Sequence, residues 1–265
     1  MRLTRLMGVL GILVLLLPLG CKRQATTSLT VAGSTAFQPF AEKLAEQFMG
    51  RRQDISITVQ GGGSALGIQS ARSGASQIGM ADMVELPLEA RELSSVAVAR
   101  DGIAMIVHPA NQVRQLTMDQ IRAIFNGSLK NWKEVGGADH PIRIVSREAG
   151  SGTRSSFEQI VGQIMLAREA IIQDSNGTIR ETVANDRDAI GYLSHGLLNE
   201  RVMAVAVDGA GCVDKDIVSG RYKLVRPVFL LTKGPPAGAA RDFIDYILSA
   251  EGQETIRSNG LLPAK

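Results

Sequence analysis

The sequence predicts an α/β protein of two lobes with a ligand held between them, and three observations carry that prediction. Apolar segments of strand period alternate with segments of helix period along the chain. Strand after strand runs into a turn of glycines and hydroxyl residues that opens a helix. Two long apolar stretches, residues 96–109 and 219–234, are suited to carry the chain from one lobe to the other and back. In an open parallel sheet the carboxyl ends of the strands are where ligands bind.

The elements follow in order. LTVAG, residues 29–33, is a buried strand. The helix after it places Phe37, Phe40, Ala41, Leu44, Ala45 and Phe48 on one face, with Ser34 or Thr35 as N-cap and Gly50 at its end. ISITVQ, residues 55–60, alternates as a strand and leads through three glycines into Ser64 and a short helix. IGMADM, residues 78–83, is a further short strand bearing Asp82 at its end, and residues 96–109 are one or two strands of the first crossover. Thr117 and Gln120 form a capping box for a helix from Met118 to Phe125. Residues 131–137 make a turn-rich connector in which Trp132 packs. Thr178 and Glu181 suggest another capping box, AIGYLS and VMAVAV read as strands, and Pro227 belongs at a strand start or edge. Residues 239–258 close the chain as a helix pair with Phe243, Ile244, Ile247 and Leu248 on one face.

The most informative stretch is SREAGSGTRSSFE, residues 146–158. It joins the strand IRIVS to a helix whose apolar face carries Phe157, Ile160, Val161 and Ile164. Gly150 and Gly152 permit close backbone approach, Ser151 and Thr153 add hydroxyls, and the helix start adds free N–H groups. Arg147 contributes a planar fork of charged donors, so the loop has the chemistry of an oxyanion pocket.

The N-terminus reads as a leader. Arg2 and Arg5 precede an apolar run from residue 6 to 19, which ends at Gly20-Cys21 and resembles a bacterial lipoprotein signal in which Cys21 is lipidated. Pro18 departs from that pattern. With Cys21 lipidated, Cys212 is a single buried or half-buried thiol, and a disulfide between the two requires the lipoprotein reading to fail. Losing Arg2 and Arg5 takes Lys and Arg from 29 to 27 against 26 acidic residues, so no footprint for nucleic acid remains. Aromatic residues at 4% argue against a stacking surface for bases or sugars.

Taken together, AGSTAFQPF, the GGGS turn, IGMAD, FNGSLKNW, SREAGSGT, AIGYLS and RYKLVRP resemble the phosphate-binding protein family of ABC transporters over nearly the whole mature chain. The resemblance implies a type II periplasmic-binding-protein fold with a hinge, a central cleft and no cofactor. It implies a monomer outside the cytoplasm, in the periplasm or at the cell surface, that binds inorganic phosphate and meets permease and ATPase subunits at the membrane. The expected divisions are a leader over 1–20, a lipid-anchored tether over 21–28, one lobe from 28–107 with 222–265, and a second from 108–221. By motif, the implied ligand residues are Ser34, Thr35, the Ala36 N–H, Ser64, Asp82, Arg147, Ser151, Gly152 and Thr153. Arg154 departs from the family pattern, and the sequence leaves its direction open.

Asp82 is chemically informative, because a carboxylate beside an anion repels it unless the anion carries a proton to donate. Hydrogen phosphate has such a proton and sulfate does not. The plainer readings are that Ser34, Thr35 and Ser64 are helix caps, Asp82 a turn residue, and Arg147 a partner of Glu148 or another surface acid. His108, His140 and His195 are scattered and read as turn or surface residues rather than metal ligands. Ser151 lacks the hydrolase elbow and no P-loop ending is present, so the sequence points to binding and away from catalysis. A receptor for another tetrahedral oxyanion or a phosphate-containing ligand, or a non-transport phosphate sensor or adhesion protein, is the alternative.

Overall fold

The computed structural model describes residues 26–162 and 164–264, so the leader, Cys21 and the first part of the tether lie outside the described residues. The first strand, β1 (Thr27–Gly33), starts two residues earlier than LTVAG. Thr27 and Ser28, expected in the tether, pair with Ile55 and Ser56. Then come α1 (Gln38–Arg51), which buries the expected face from Phe40 to Phe48, β2 (Ile55–Gln60), α2 (Ser64–Ser73) and β3 (Ile78–Asp82). The first crossover is one uninterrupted strand of 15 residues, β4 (Leu93–Val107).

The middle of the chain holds β5 (Gln115–Leu116) and α3 (Met118–Phe125), which has the expected Thr117 and Gln120 capping box. It continues through β6 (Arg143–Arg147), α4 (Gly152–Val161), β7 (Ile171–Gln173) and α5 (Asn176–Ala184). The box expected from Thr178 and Glu181 sits three residues earlier. Ser175 is the cap of α5 and Thr178 its reciprocal partner, because the Ser175 hydroxyl reaches the Thr178 N–H. AIGYLS is β8 (Ala189–Ser194), whereas VMAVAV splits into β9 (Met203–Ala204) and β10 (Ala206–Val207). After α6 (Asp214–Val218) the chain returns through β11 (Val225–Lys233) and closes with α7 (Gly238–Leu248), α8 (Ala250–Ser258) and β12 (Leu262–Pro263).

The strands follow the path β2-β1-β3-β11-β4-β8-β6-β7, with β12 and β9 also on β4. Within each half the β1, β2, β3 group and the β6, β7, β8 group are parallel, and β11 and β4 run antiparallel to their neighbours. β4 joins the halves. Leu93–Gly102 pair with β11, and Ile103–Val107 pair with β8. Pro227 lies one residue before the pairing of β11 with β3 begins, close to the strand start where its missing N–H is tolerated.

Each half has its own core. Leu29, Phe40, Leu44, Phe48, Phe243 and Ile247 fill the first, and Met105, Phe125, Trp132, Phe157 and Tyr192 are among the residues of the second. Phe157 stacks on Tyr192 with centroids 4.2 Å apart and meets Phe125 edge-on at 4.7 Å, which fixes α4 against β8. Trp132 is buried and donates Nε1–H to the Asp188 carbonyl. Cys212 is a buried free thiol.

His195 differs from its expected turn or surface role. It is buried, with Nδ1 3.2 Å from Asp101 and Nε2 3.4 Å from Asp214. Burial opposes its charge, but the two carboxylates outweigh burial and raise its pKa above 6.5. A raised histidine contributes stability that is fully present below its unfolded pKa and is lost as pH rises through the folded one. The urea midpoint therefore falls as pH increases above about 6.5, and His195→Gln flattens that dependence.

Candidate functional site

Four strand ends and two helix starts converge on the seam between the halves. Ser34 follows β1, and its buried hydroxyl oxygen accepts the N–H groups of Ala36 at 3.2 Å and Phe37 at 3.1 Å. The Ala36 N–H, expected to face a ligand, is thus engaged by Ser34. Thr35 turns toward the opposite half, where its Oγ1 is 3.2 Å from Arg147 Nη2 and 3.4 Å from Asn176 Nδ2.

Ser64 is the first residue of α2. Its hydroxyl donates to Asp82 Oδ1 at 2.6 Å and accepts the Asp82 N–H at 3.1 Å. This contact needs α2 to lie almost on the sheet backbone. A Cβ on Gly79 would come 2.2 Å from the Gly67 carbonyl oxygen, so only glycine lets helix and strand approach this closely. Across the seam, Thr153 Oγ1 lies 3.4 Å from Asp82 Oδ2. Arg226 Nη2 approaches the same oxygen at 2.6 Å.

Arg147 ends β6 with its side chain 1% exposed. Its Nε and Nη2 grip Glu148 at 2.9 and 2.8 Å, and Nη2 also faces the Asp174 carbonyl at 3.2 Å. The pairing with Glu148 read from the sequence is therefore present, in a bidentate form. Nη1, by contrast, is buried with no hydrogen-bond partner among the described residues. Ser151 caps α4 by accepting the Arg154 N–H, and Gly152 and Thr153 are the first two residues of that helix. Their N–H groups precede the intrahelical bonds, where a helix carries partial positive charge. Arg154 points elsewhere. Its Nε pairs with Glu158 at 2.7 Å and its Nη1 donates to the Arg147 carbonyl at 2.9 Å.

The two halves touch directly here. Ala65 N–H donates to the Gly150 carbonyl at 3.1 Å, and a Cβ on Gly152 would lie 2.2 Å from Ser64 Oγ and 2.6 Å from the Asp82 carbonyl oxygen. The arrangement unites Ser34, Thr35, Ser64, Asp82, Arg147, Ser151, Gly152 and Thr153 around one seam, with hydroxyls, a guanidinium and a helix start from different elements.

A family model described as a PBP superfamily domain matches residues 22–251. The chain is 36% identical over 247 residues to the phosphate-binding protein PstS of Bacillus subtilis, covering 91% of this chain and 82% of that one. The chain belongs to the PstS family of phosphate-binding proteins. Among solved PstS-like structures, a Clostridium perfringens protein assigned as a phosphate ABC transporter substrate-binding protein, with bound phosphate, matches at TM-score 0.87. It is 39% identical, and the match covers 90% of this chain and all of that one. An ABC-type phosphate transport receptor from Vibrio cholerae matches at TM-score 0.75 and 32% identity over 88% of this chain and 99% of that one. The type II periplasmic-binding-protein fold expected for a PstS member is the fold observed.

Sequence reasoning missed Arg226, Asn176, Asp101 and Ser194. Arg226 is fully buried, and its guanidinium joins Asp82 to Asp101, where Nη2 approaches Oδ2 at 2.7 Å. Asp101 also accepts Ser194 Oγ at 2.8 Å. Asn176 Oδ1 accepts the Ser194 N–H at 3.0 Å while its Nδ2 faces Thr35. A signal existed for Arg226: in KLVRPVFL it occupies an inward position of the strand alternation shared with Leu224 and Val228. Ser64→Ala leaves the Asp82 N–H and one side of its carboxylate without partners. The expected loss is about 1 to 3 kcal/mol of unfolding free energy, read by urea denaturation.

Proposed function

We propose that this protein binds inorganic phosphate at the seam between its lobes and delivers it to an ABC permease. The observation that carries the reading is Arg147, a buried permanent cation whose Nη1 has no hydrogen-bond partner among the described residues and which stands beside Thr35 and near the α4 start. A dehydrated oxyanion needs many donors, and charged hydrogen bonds supply roughly 1.5 to 3 kcal/mol each. The Arg147 guanidinium, the Gly152 and Thr153 N–H groups and the hydroxyls of Ser34, Thr35 and Ser151 form the proposed donor set, while the Ser64 and Thr153 hydroxyls are directed at Asp82 and hold the acceptor of the site. Micromolar affinity needs only about 8 kcal/mol net.

Asp82 is the proposed discriminator. One lone-pair direction on Oδ1 remains beside the bond from Ser64, and a ligand hydroxyl is the group that fits it. Hydrogen phosphate offers one, whereas sulfate leaves the carboxylate facing an unprotonated oxygen. The lobes are proposed as 28–107 with 222–265, and 108–221, closing about the two crossovers. A lipid on Cys21 would hold the mature chain, as a monomer, outside the cytoplasm beside the permease and ATPase subunits. The reading is of a receptor and not of an enzyme, in keeping with the use of the Ser151 hydroxyl oxygen as a helix cap.

Isothermal titration of the mature chain is expected to give a micromolar or tighter Kd for phosphate and a far weaker Kd for sulfate, read by competition at high sulfate concentration, and absence of phosphate binding overturns the reading. Arg147→Ala is expected to weaken phosphate by about tenfold to a hundredfold. Asp82→Asn is expected to let sulfate compete; a variant in which sulfate stays inert while phosphate binding is unchanged removes the discriminating role. Gly152→Ala puts a methyl group against Ser64 and Asp82 across the seam, so the compaction on phosphate addition that small-angle scattering is expected to show for the wild type is expected to be absent in the variant.

A further inference from the structure

The phosphate reading assigns Asp82 a role but not the means by which its carboxylate is held to it, and Arg226 lies against the back of that carboxylate. The register places it there. Arg226 stands opposite Asp101 in the pairing of β11 with β4, and Val228, two residues on, stands opposite Asp82 in the pairing with β3. An arginine at this position therefore reaches both carboxylates from the strand between them.

We infer that Arg226 is a positioning residue that sets ligand choice, by occupying Asp82 Oδ2 and leaving the remaining lone-pair direction of Oδ1 to accept from the ligand. This rests on the phosphate reading of that site. A carboxylate has about four lone-pair sites. Oδ2 is met by Arg226 Nη2 at 2.6 Å and by Thr153 Oγ1 at 3.4 Å, while among the described residues Oδ1 takes only the Ser64 hydroxyl, at 2.6 Å. Without Arg226, Oδ2 is left with the long Thr153 contact, and the carboxylate can pivot about the bond from Ser64 and present Oδ2 as a second acceptor. The guanidinium is itself fixed by Asp101, whose Oδ2 accepts Nη2 at 2.7 Å and Nε at 3.3 Å. Burial opposes a charged Asp101, but the Arg226 charge and the His195 hydrogen bond outweigh it and hold the carboxyl below the usual carboxylate range. Asp101 in turn accepts Ser194 Oγ at 2.8 Å from the other half of the sheet.

The test compares phosphate with sulfate rather than phosphate alone. Asp101→Asn with Arg226→Gln removes one charge of each sign, so the buried cluster keeps its net charge while Asp82 loses its cation. Isothermal titration at pH 7 is expected to show the phosphate-to-sulfate affinity ratio falling by about tenfold or more in this double variant. Arg226→Lys, which keeps the charge on a point donor with a different reach, is expected to restore part of the ratio and serves as the second variant where the double melts too low to titrate. A wild-type ratio in either variant overturns the inference. Equal weakening of both anions, the result of a purely structural role, also overturns it. Wild-type protein that binds no phosphate overturns the underlying reading, whereas an unchanged ratio beside a binding wild type overturns the role of Arg226 alone.

Discussion

Two guanidinium groups are removed from water at the seam of this molecule, and that desolvation constrains much of the surrounding fold. A buried arginine cannot shed its proton, so a carboxylate must be brought to it with good geometry. Arg226 obtains Asp82 from β3 and Asp101 from β4, which requires β11 to lie between those two strands. Arg147 obtains Glu148 from the next position in the sequence and Thr35 from the other lobe. Strand order, crossover position and lobe contact are thus set by charge as well as by apolar burial.

The lobes contribute different chemistry to that seam. One half brings the acceptor Asp82 and the hydroxyls of Ser34 and Ser64, while the other brings the cation Arg147 and the start of α4. Close packing makes the combination possible. The absence of side chains at Gly67, Gly79 and Gly152 lets backbone pass backbone at distances that a methyl group would block.

Most of this was legible in the sequence for a physical reason: it is local. Strand alternation, the helical face of α1, the capping box of α3 and the turns bearing Ser34, Ser64, Asp82 and Arg147 are written within short windows. What escaped was of two kinds. The α5 cap was displaced because Ser175, Thr178 and Glu181 are all credible cap residues by type, and only the geometry chooses Ser175. Arg226, Asp101, Asn176 and His195 are separated by tens of residues, so each looks like an isolated polar residue until the strands pair. Arg154 is the converse case, since its charge looked relevant to the site and its side chain is spent on Glu158 and the Arg147 carbonyl.

The unbroken course of β4 bears on how such a molecule can move. Where it passes from one half to the other, the returning chain runs alongside, with the Ile103 N–H bonded to the Leu224 carbonyl at 2.7 Å and the Tyr222 hydroxyl to the Ile103 carbonyl at 2.6 Å. A single strand could swivel about its own axis, but two strands stitched side by side resist torsion and yield in bending across their common plane. The motion proposed for the lobes would then be that of a door on two pins, which would bring Thr153 back to Asp82 and Arg147 back to Thr35 in the same alignment at each closing.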